Sequence, residues 1–286
     1  MRFAVIGDRG LLGSEMCLLL NRQGEDVQGF NRSNIQLSSS PEELAAVISG
    51  ADVLINCVAY TNVDGAEKDW ELANLVNGEY AGKLAETAAL LGAKMIQIST
   101  DYVFAGTSGS AAKTSESINP INAYGRSKAL GEERVTDSGA KFQIFRTAWL
   151  YGSKGACFPR SIAKKLLDSG SVKVVNDQFG QPTWTKDLCN VIYDHSLHDY
   201  SEPVVHAVAS GSTDWFTFAE AVADALPETA SYEVSAISST ELHQSATRPA
   251  FSVLENSQTR GPVIGEWMER WKTASSEIVE SVNQIV

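Results

Sequence analysis

Tyr124 and Lys128 are the residues of this chain whose types and spacing most directly suggest chemistry. Side chains four residues apart share one face of an α-helix, so this spacing brings an ammonium beside a phenol. A free phenol has a pKa of about 10 and exchanges protons slowly near neutrality, whereas a neighbouring cation stabilises the phenolate. The pair could therefore exchange a proton with a carbonyl or alcohol oxygen. The alternative is that both side chains lie on a solvated helix face. The surrounding elements decide between this interpretation and a catalytic pair.

A glycine-rich turn near the start of the chain predicts a dinucleotide site. Residues 2–6 form a short apolar run, Gly7, Gly10 and Gly13 follow it, and apolar residues then recur at helical spacing. This order indicates a strand, a tight turn and a helix. Glycines at such a turn let backbone N–H groups approach a pyrophosphate at the helix N-terminus. A plain strand-to-helix turn is the alternative.

The end of the second predicted strand, residues 26–30, indicates which dinucleotide binds. In NAD-binding units an acid about 20 residues after the glycine turn contacts the ribose hydroxyls. This chain has Asn31 and Arg32 there instead. Arg32, together with Arg9 in the glycine turn, could meet a 2′-phosphate, and two solvated arginines are the alternative. We therefore expect NADPH to be preferred, with NADH as the second choice.

The rest of the pattern predicts a doubly wound parallel sheet. Thr100 follows a predicted strand, and ligands of such sheets bind beyond the carboxyl ends of the strands. Asn77 interrupts an apolar helix, and we interpret it as part of an exposed face. The apolar residues between 263 and 271 have helical spacing and predict a core stripe. The further predicted strands are residues 52–58, 94–98, 142–147, 172–175 and 204–208, and the further predicted helices are residues 41–49, a long helix ending near 91, and residues 158–167, 187–195 and 215–226.

Composition limits the class of protein. The chain has 286 residues, is 43% hydrophobic and carries a net charge of −12, which argues against nucleic acid and anionic membranes as partners. No apolar stretch is long enough for a membrane span. The four cysteines are isolated and no metal-ligand set is recognised, so we expect reduced thiols in a cytoplasmic protein.

Several motifs, in this order, resemble the extended short-chain dehydrogenase/reductase family, and most closely its dTDP-4-dehydrorhamnose reductase branch. The resemblance covers most of the chain. Beyond the glycine turn, the motifs that carry it are residues 56–67, 99–104, 124–128, 146–152, 177–183 and 248–249.

The resemblance implies a catalytic set of Thr100, Tyr124 and Lys128. Tyr124 would donate the proton, Lys128 would hold the nicotinamide ribose and lower the pKa of Tyr124, and Thr100 would bind the reacting oxygen. The implied substrate contacts are Val63, Asp101, Tyr102, Trp149 and Arg248. The implied cofactor contacts are Gly7, Arg9, Gly10, Leu11, Leu12, Gly13, Asn31, Arg32, Cys57, Ala59, Tyr60 and Ser99, together with Tyr124 and Lys128.

The sequence therefore predicts a Rossmann-type domain over residues 1–150, with contributions from about 186–208, and a smaller α/β substrate domain over residues 151–286. The expected reaction is NAD(P)H-dependent reduction of the C4 keto group of a nucleotide-activated 4-keto-6-deoxy sugar, by a monomer or homodimer. Two alternatives stay open: a sugar-nucleotide epimerase, and a non-catalytic regulatory subunit that binds a dinucleotide. A dehydratase would be expected to have an Asp-Glu pair directly after Thr100, which this chain lacks.

Overall fold

A six-stranded parallel sheet forms the centre of the protein. The computed structural model describes residues 1–227, 231–257 and 260–282. The strands are β1 (Arg2–Ile6), β2 (Asp26–Phe30), β3 (Val53–Asn56), β4 (Lys94–Thr100), β5 (Lys141–Thr147), β6 (Leu150–Tyr151), β7 (Ser171–Val175), β8 (Phe179–Gly180), β9 (Thr183–Trp184), β10 (Val204–His206), β11 (Thr213–Asp214) and β12 (Glu233–Ile237). The central sheet has the order β10-β5-β4-β3-β1-β2, and each of its neighbouring pairs is parallel. The predicted parallel sheet is confirmed.

Helices cover both faces of this sheet. They are α1 (Leu11–Arg22), α2 (Pro41–Val47), α3 (Val63–Lys68), α4 (Trp70–Asn74), α5 (Tyr80–Leu91), α6 (Ala123–Asp137), α7 (Phe158–Ser169), α8 (Thr185–Leu197), α9 (Trp215–Asp224) and α10 (Trp267–Val282). Alternate residues of β1 point to different clusters, Phe3 and Val5 to one core and Ala4 and Ile6 to the other. This alternation follows from the two-residue period of a strand and explains why the run is apolar throughout.

Two helix predictions were wrong in part. The long helix predicted to end near residue 91 is divided into α4, a π-helical segment (Leu75–Glu79) and α5. Asn77 lies in that segment and is buried, so its interpretation as part of an exposed face was wrong. In the predicted C-terminal core stripe, Val263 is exposed and precedes α10, whereas Trp267 and Trp271 are buried as expected.

Beyond β5 the chain adds small sheets and the helices that pack on them. β7 pairs with β12 in parallel, β6 pairs with β9 in parallel, and β8 pairs with β11 in antiparallel fashion. α8 packs against α1, and β10 returns to the edge of the central sheet beside β5. None of the helices in the described parts of the chain combines the length and apolar character needed to cross a membrane.

Candidate active site

A cavity of about 960 Å³ lies at the carboxyl ends of β1, β2 and β3. The glycine turn forms part of its wall, and Gly7 has a φ of 88°, which residues with a side chain rarely adopt. A Cβ atom at Gly13 would come within 2.1 Å of the carbonyl oxygen of Gly7, so position 13 has no space for a side chain. The turn and α1 therefore pack closely, as a pyrophosphate site requires.

The start of α1 offers backbone donors to a phosphate. Gly10 is the N-cap, and no side chain caps the helix there. The first N–H groups of a helix have no intrahelical acceptor and carry a partial positive charge. Leu11 and Leu12 begin this helix, and both side chains pack into the core. Leu12 is buried and Leu11 is half-buried, so the backbone N–H groups are the polar atoms that these two positions offer to a cofactor.

Cations surround the part of the cavity that faces the loop after β2. Arg9, Arg32 and Lys83 line it, and no acidic residue is found among the lining residues in the described part of the chain. This is unusual for a chain with a net charge of −12. Lys83 also donates a hydrogen bond to the carbonyl oxygen of Leu37 at 3.1 Å. No local pattern indicated Lys83, because it lies on α5, far along the chain from the other two cations.

The other predicted cofactor residues of this region also border the cavity. Asn31, Cys57, Ala59 and Tyr60 line it. The side chain of Asn31 donates to Asp8 at 2.9 Å, which holds it beside the glycine turn. Burial raises the pKa of the Cys57 thiol to about 12, so this residue is an uncharged part of the wall.

Asn77 is a site residue that the sequence interpretation missed. Its side-chain oxygen accepts from the backbone N–H of Tyr60 at 2.8 Å, and its amide donates to the Tyr60 carbonyl at 3.1 Å. The same amide donates to the hydroxyl of Ser127 on α6 at 2.8 Å. Asn77 thus joins the cavity wall to the helix of the Tyr–Lys pair. A polar residue inside an otherwise apolar helix was the available signal.

Tyr124 lies at the start of α6, close to the end of β4. Asn122 caps this helix by accepting from the N–H of Gly125 at 2.7 Å, and the Glu67 carboxylate accepts from Ala123. Burial raises the pKa of Tyr124 to about 12, and hydrogen bonding with the side chain of Thr100 acts in the opposite direction. The structure therefore brings Thr100 and Tyr124 together, and it holds the phenol in its protonated form.

Lys128 is buried one helical turn further along α6. Its ammonium donates to the carbonyl oxygen of Ile98 at 2.6 Å, and burial lowers its pKa to about 8, with Glu132 acting against this shift. The expected lowering of the pKa of Tyr124 is not seen, because burial of the phenol dominates and the ammonium is engaged by Ile98. At neutral pH Lys128 is still mostly protonated.

A buried ion pair lies behind this lysine. Arg146 donates to both carboxylate oxygens of Glu132, at 2.9 and 2.7 Å, and Ser99 donates to the same carboxylate at 2.5 Å. Such a pair is well satisfied by hydrogen bonds, as a buried charge requires. The Ser99 hydroxyl, predicted to contact the cofactor, is instead committed to Glu132.

Asp101 and Tyr102 follow Thr100 in a 3₁₀ turn. Asp101 is buried, and its carboxylate accepts from the Thr100 hydroxyl at 2.8 Å. The rings of Tyr102 and Tyr124 meet edge to face with centroids 5.9 Å apart. Tyr102 therefore contacts Tyr124, and its role in substrate binding stays a prediction, whereas Asp101 faces the threonine from the protein interior.

Arg248 extends from the second half of the chain to the first. Its guanidinium donates to both carboxylate oxygens of Asp64 on α3, at 3.2 and 2.6 Å, and Ala246 donates its N–H to the same carboxylate. The intramolecular salt bridge holds the pKa of Asp64 down at about 2. The guanidinium predicted to bind a phosphate thus has a protein partner in this structure. Val63, the first residue of α3, is half-buried beside it.

Trp149 has a conformation that few residues with side chains adopt. Its φ is 44°, which costs energy and occurs where surrounding structure enforces it. Its ring stacks on Trp215 with centroids 3.4 Å apart and planes 8° apart. Its indole Nε1 has no partner among the described residues. The predicted substrate residue is therefore rigidly held, with a buried donor still unused.

A Rossmann-type sheet, a dinucleotide-sized cavity and a Tyr–Lys pair at the strand ends together define the extended short-chain dehydrogenase/reductase class. The chain belongs, within it, to the family described as RmlD substrate binding domain, whose model matches residues 1–284. It is 35% identical to the dTDP-4-dehydrorhamnose reductase of Burkholderia thailandensis over 272 residues. The aligned region covers 90% of this chain and 91% of that relative.

Solved structures agree with this assignment. A dTDP-4-dehydrorhamnose reductase from Clostridium acetobutylicum superposes with a TM-score of 0.90 and 31% identity, covering 96% of this chain and 99% of that one. The dTDP-4-dehydrorhamnose reductase of Bacillus anthracis, solved in complex with NADP, gives the same TM-score, identity and coverage.

Proposed function

We propose that this protein reduces the C4 keto group of a dTDP-linked 4-keto-6-deoxy sugar, with NADPH as the preferred cofactor and NADH as the alternative. The observation that carries the proposal is the position of Tyr124 on the first turn of α6. Its ring meets that of Tyr102 just after Thr100 and belongs to the same apolar cluster as Tyr60 of the cavity wall, one turn from a buried Lys128. The names of the relatives support the same reaction. The cationic end of the cavity supports a cofactor with an additional phosphate.

Each residue of the catalytic set has a role that its surroundings support. When bound, NADPH supplies a hydride. Tyr124 gives its proton to the oxygen that becomes the alcohol, and its raised pKa keeps that proton on the phenol until it is needed. Lys128 provides a positive charge that stabilises the phenolate and can hold a ribose hydroxyl. Thr100 hydrogen-bonds the reacting oxygen from the end of β4.

The substrate side of the proposal combines the second half of the chain with residues from the first half that face it. We assign residues 1–150, with about 186–208, to cofactor binding and the remainder of 151–286 to the sugar nucleotide. Val63, Tyr102, Trp149 and Arg248 form the proposed substrate wall, and Asp101 lies behind it, bonded to Thr100. The conformation of Trp149 supports this assignment, because a positive φ enforced by the surrounding structure is found mostly at functional sites. The proposed partner is this small molecule, in the cytoplasm.

Turnover of a panel of nucleotide-activated 4-keto sugars with NADPH tests the proposal. Wild type should consume one NADPH per sugar reduced. Tyr124→Phe keeps the ring and removes the transferable hydrogen, so the rate should fall on the order of 10²–10⁴-fold while NADPH affinity is retained. Tyr193→Phe is the matched control, because that hydroxyl contacts Glu25, outside the site.

The alternatives predict different results in the same assay. An epimerase would change the sugar without net consumption of NADPH. A regulatory subunit would bind the dinucleotide and turn over no sugar. Reduction by Tyr124→Phe at the wild-type rate would show that another group is the acid.

A further inference from the structure

The chain between β2 and α2 forms one wall of the dinucleotide cavity. This segment, residues 31–40, is called the β2 loop here, and it forms turns rather than a helix or strand. In Rossmann-type folds the end of β2 borders the adenosine ribose, so this wall receives the half of the cofactor that NADPH and NADH share apart from the 2′-phosphate. The residues of the loop that line the cavity are Asn31, Arg32, Ile35, Gln36, Leu37 and Ser38.

The first half of the β2 loop is attached to the glycine turn and to the core. The side-chain amide of Asn31 donates to the Asp8 carboxylate at 2.9 Å. The Asn31 carbonyl oxygen accepts from the backbone N–H groups of Asn34 and Ile35, both at 3.0 Å. Ile35 is buried in the same core cluster as Phe30 of β2. The first half of the loop is therefore held by hydrogen bonds and by burial.

The second half of the β2 loop is attached to α5 by a charged hydrogen bond. The ammonium of Lys83 donates to the carbonyl oxygen of Leu37 at 3.1 Å. The Leu37 side chain packs against the core, but Gln36 and Ser38 on either side of it are exposed. Hydrogen bonds with a charged donor are roughly twice as strong as neutral ones. The bond from Lys83 therefore fixes a stretch of backbone whose neighbouring residues are in solvent.

The same helical stretch also holds a second loop of the cavity wall. Asn77, in the π-helical segment that precedes α5, binds the backbone N–H and carbonyl oxygen of Tyr60. Tyr60 and Leu37 both line the cavity, and so does Lys83 itself. Asn77 and Lys83 thus connect two cavity-lining loops to one continuous helical element, which sets the distance between these loops.

We propose that Lys83 is a positioning residue that holds the β2 loop in the conformation that binds the adenosine half of either cofactor. This rests on the proposed function only in taking the ligand to be NADPH or NADH. Without the bond, some molecules have the loop in another conformation, and the apparent affinity falls in proportion to the fraction that remains competent. The loss is therefore the same for both cofactors. A 2′-phosphate contact, which Arg9 and Arg32 are placed to make, affects NADPH alone.

The test is the titration of wild type and Lys83→Met with NADPH, NADH and ADP-ribose in about 0.15 M salt, where long-range effects of the lost charge are largely screened. Methionine keeps the apolar stem and removes the donor. Each dissociation constant should rise by the same factor of about 10 or more, as loss of one hydrogen bond from a charged group predicts. ADP-ribose lacks the nicotinamide and the 2′-phosphate, so its loss of affinity excludes both groups as the cause. In turnover, the KM for NADPH should rise while kcat changes little.

Thr87→Val is the matched control on the same helix. Thr87 lies one turn beyond Lys83, and its hydroxyl is 2.7 Å from the Lys83 carbonyl oxygen and 3.4 Å from that of Pro41, just past the β2 loop. Thr87 is buried, and the cavity-lining residues of the described chain do not include it. The variant removes a side-chain bond to the same connection outside the cavity, so all three dissociation constants should remain at their wild-type values.

Hydrogen exchange of the free proteins tests the loop directly. The amides of residues 31–38 should exchange faster in Lys83→Met than in wild type, because local opening of the loop becomes more frequent. Bound NADPH should reduce this difference. Equal exchange in the two free proteins would overturn the proposal.

The titrations separate this role from the alternatives. If Lys83→Met loses affinity for NADPH alone, the ammonium contacts the 2′-phosphate and the proposal is wrong. Unchanged dissociation constants for all three ligands would also overturn it. If Lys83→Met does not fold, Lys83→Gln must show the same common loss. Absence of keto-sugar reduction by wild type would overturn the proposed function, whereas the binding measurements would still decide the role of Lys83. A wild-type protein that bound neither cofactor would overturn both.

Discussion

The salt bridge between Asp64 and Arg248 gives the sharpest test of how the two halves of the chain meet. It joins α3 to the segment that follows β12, and the N–H of Ala246 adds a third hydrogen bond to the same carboxylate. We expect Asp64→Asn and Arg248→Met each to destabilise the protein by removing this connection. Methionine retains the length and apolar stem of arginine, so packing along the side chain is largely preserved.

The expected magnitude follows from the pKa of Asp64. Its fall from 3.8 to about 2 corresponds to roughly 2.5 kcal/mol at ~1.4 kcal/mol per pKa unit. The side chain of Asp64 is 37% exposed, so solvent screening reduces the contribution to about 1 kcal/mol. Because the folded-state pKa is lowered, this stability is present above about pH 4 and is lost as the pH falls towards 2.

Urea unfolding of both single variants and the double variant measures this coupling. At pH 7 the double-mutant cycle should give a coupling free energy of about 1 kcal/mol, and near pH 2 it should vanish. Exposed Lys164→Met is a control for loss of a surface cation. A coupling free energy of zero at pH 7 would refute the reasoning from the pKa of Asp64.

The same variants decide whether Arg248 also binds the substrate. If its guanidinium leaves Asp64 for a phosphate of the sugar nucleotide, Arg248→Met should raise the substrate KM about 10-fold or more, as loss of a charged hydrogen bond predicts. The KM for NADPH should hardly change. Asp64→Asn should lower the substrate KM, because the arginine is then unpaired. Unchanged substrate KM values in both variants would leave Arg248 with a purely structural role.

Three further predictions concern the cofactor, the lysine and the packing of α6. Arg32→Ala should weaken NADPH binding about 10-fold or more while NADH binding is little changed; equal effects on both cofactors, measured by titration, would contradict a 2′-phosphate contact. Lys128→Met should slow turnover on the order of 10²-fold. It should also remove the fall in rate that wild type should show above pH 8, near the pKa of Lys128. An unaltered pH–rate profile would assign that fall at high pH to another group. Gly131→Ala would place a Cβ atom 2.2 Å from the Asn77 carbonyl oxygen and should cost about 1–3 kcal/mol in urea unfolding, with Glu133→Ala on the exposed face of α6 as the control that should change little.

Local patterns in the sequence were sufficient for the sheet. The second strand occupies residues 26–30 as predicted, and the glycine turn opens a helix, because backbone geometry and burial on both faces restrict such segments strongly. The division of the helix around Asn77 could not be predicted. Asn77 lies in the π-helical segment and is hydrogen-bonded with Tyr60 and Ser127, which are 17 and 50 residues away in the chain.

The site shows the same contrast. The sequence by itself determined the residue types and their order: the glycine turn, the two arginines, and Thr100, Tyr124 and Lys128. Only the tertiary structure decided the charge states and partners of these groups, because pKa values depend on burial and on neighbours distant in sequence. It raised the pKa of Tyr124 where a lowered value was expected, and it buried Asp101 behind Thr100 with one oxygen unpaired.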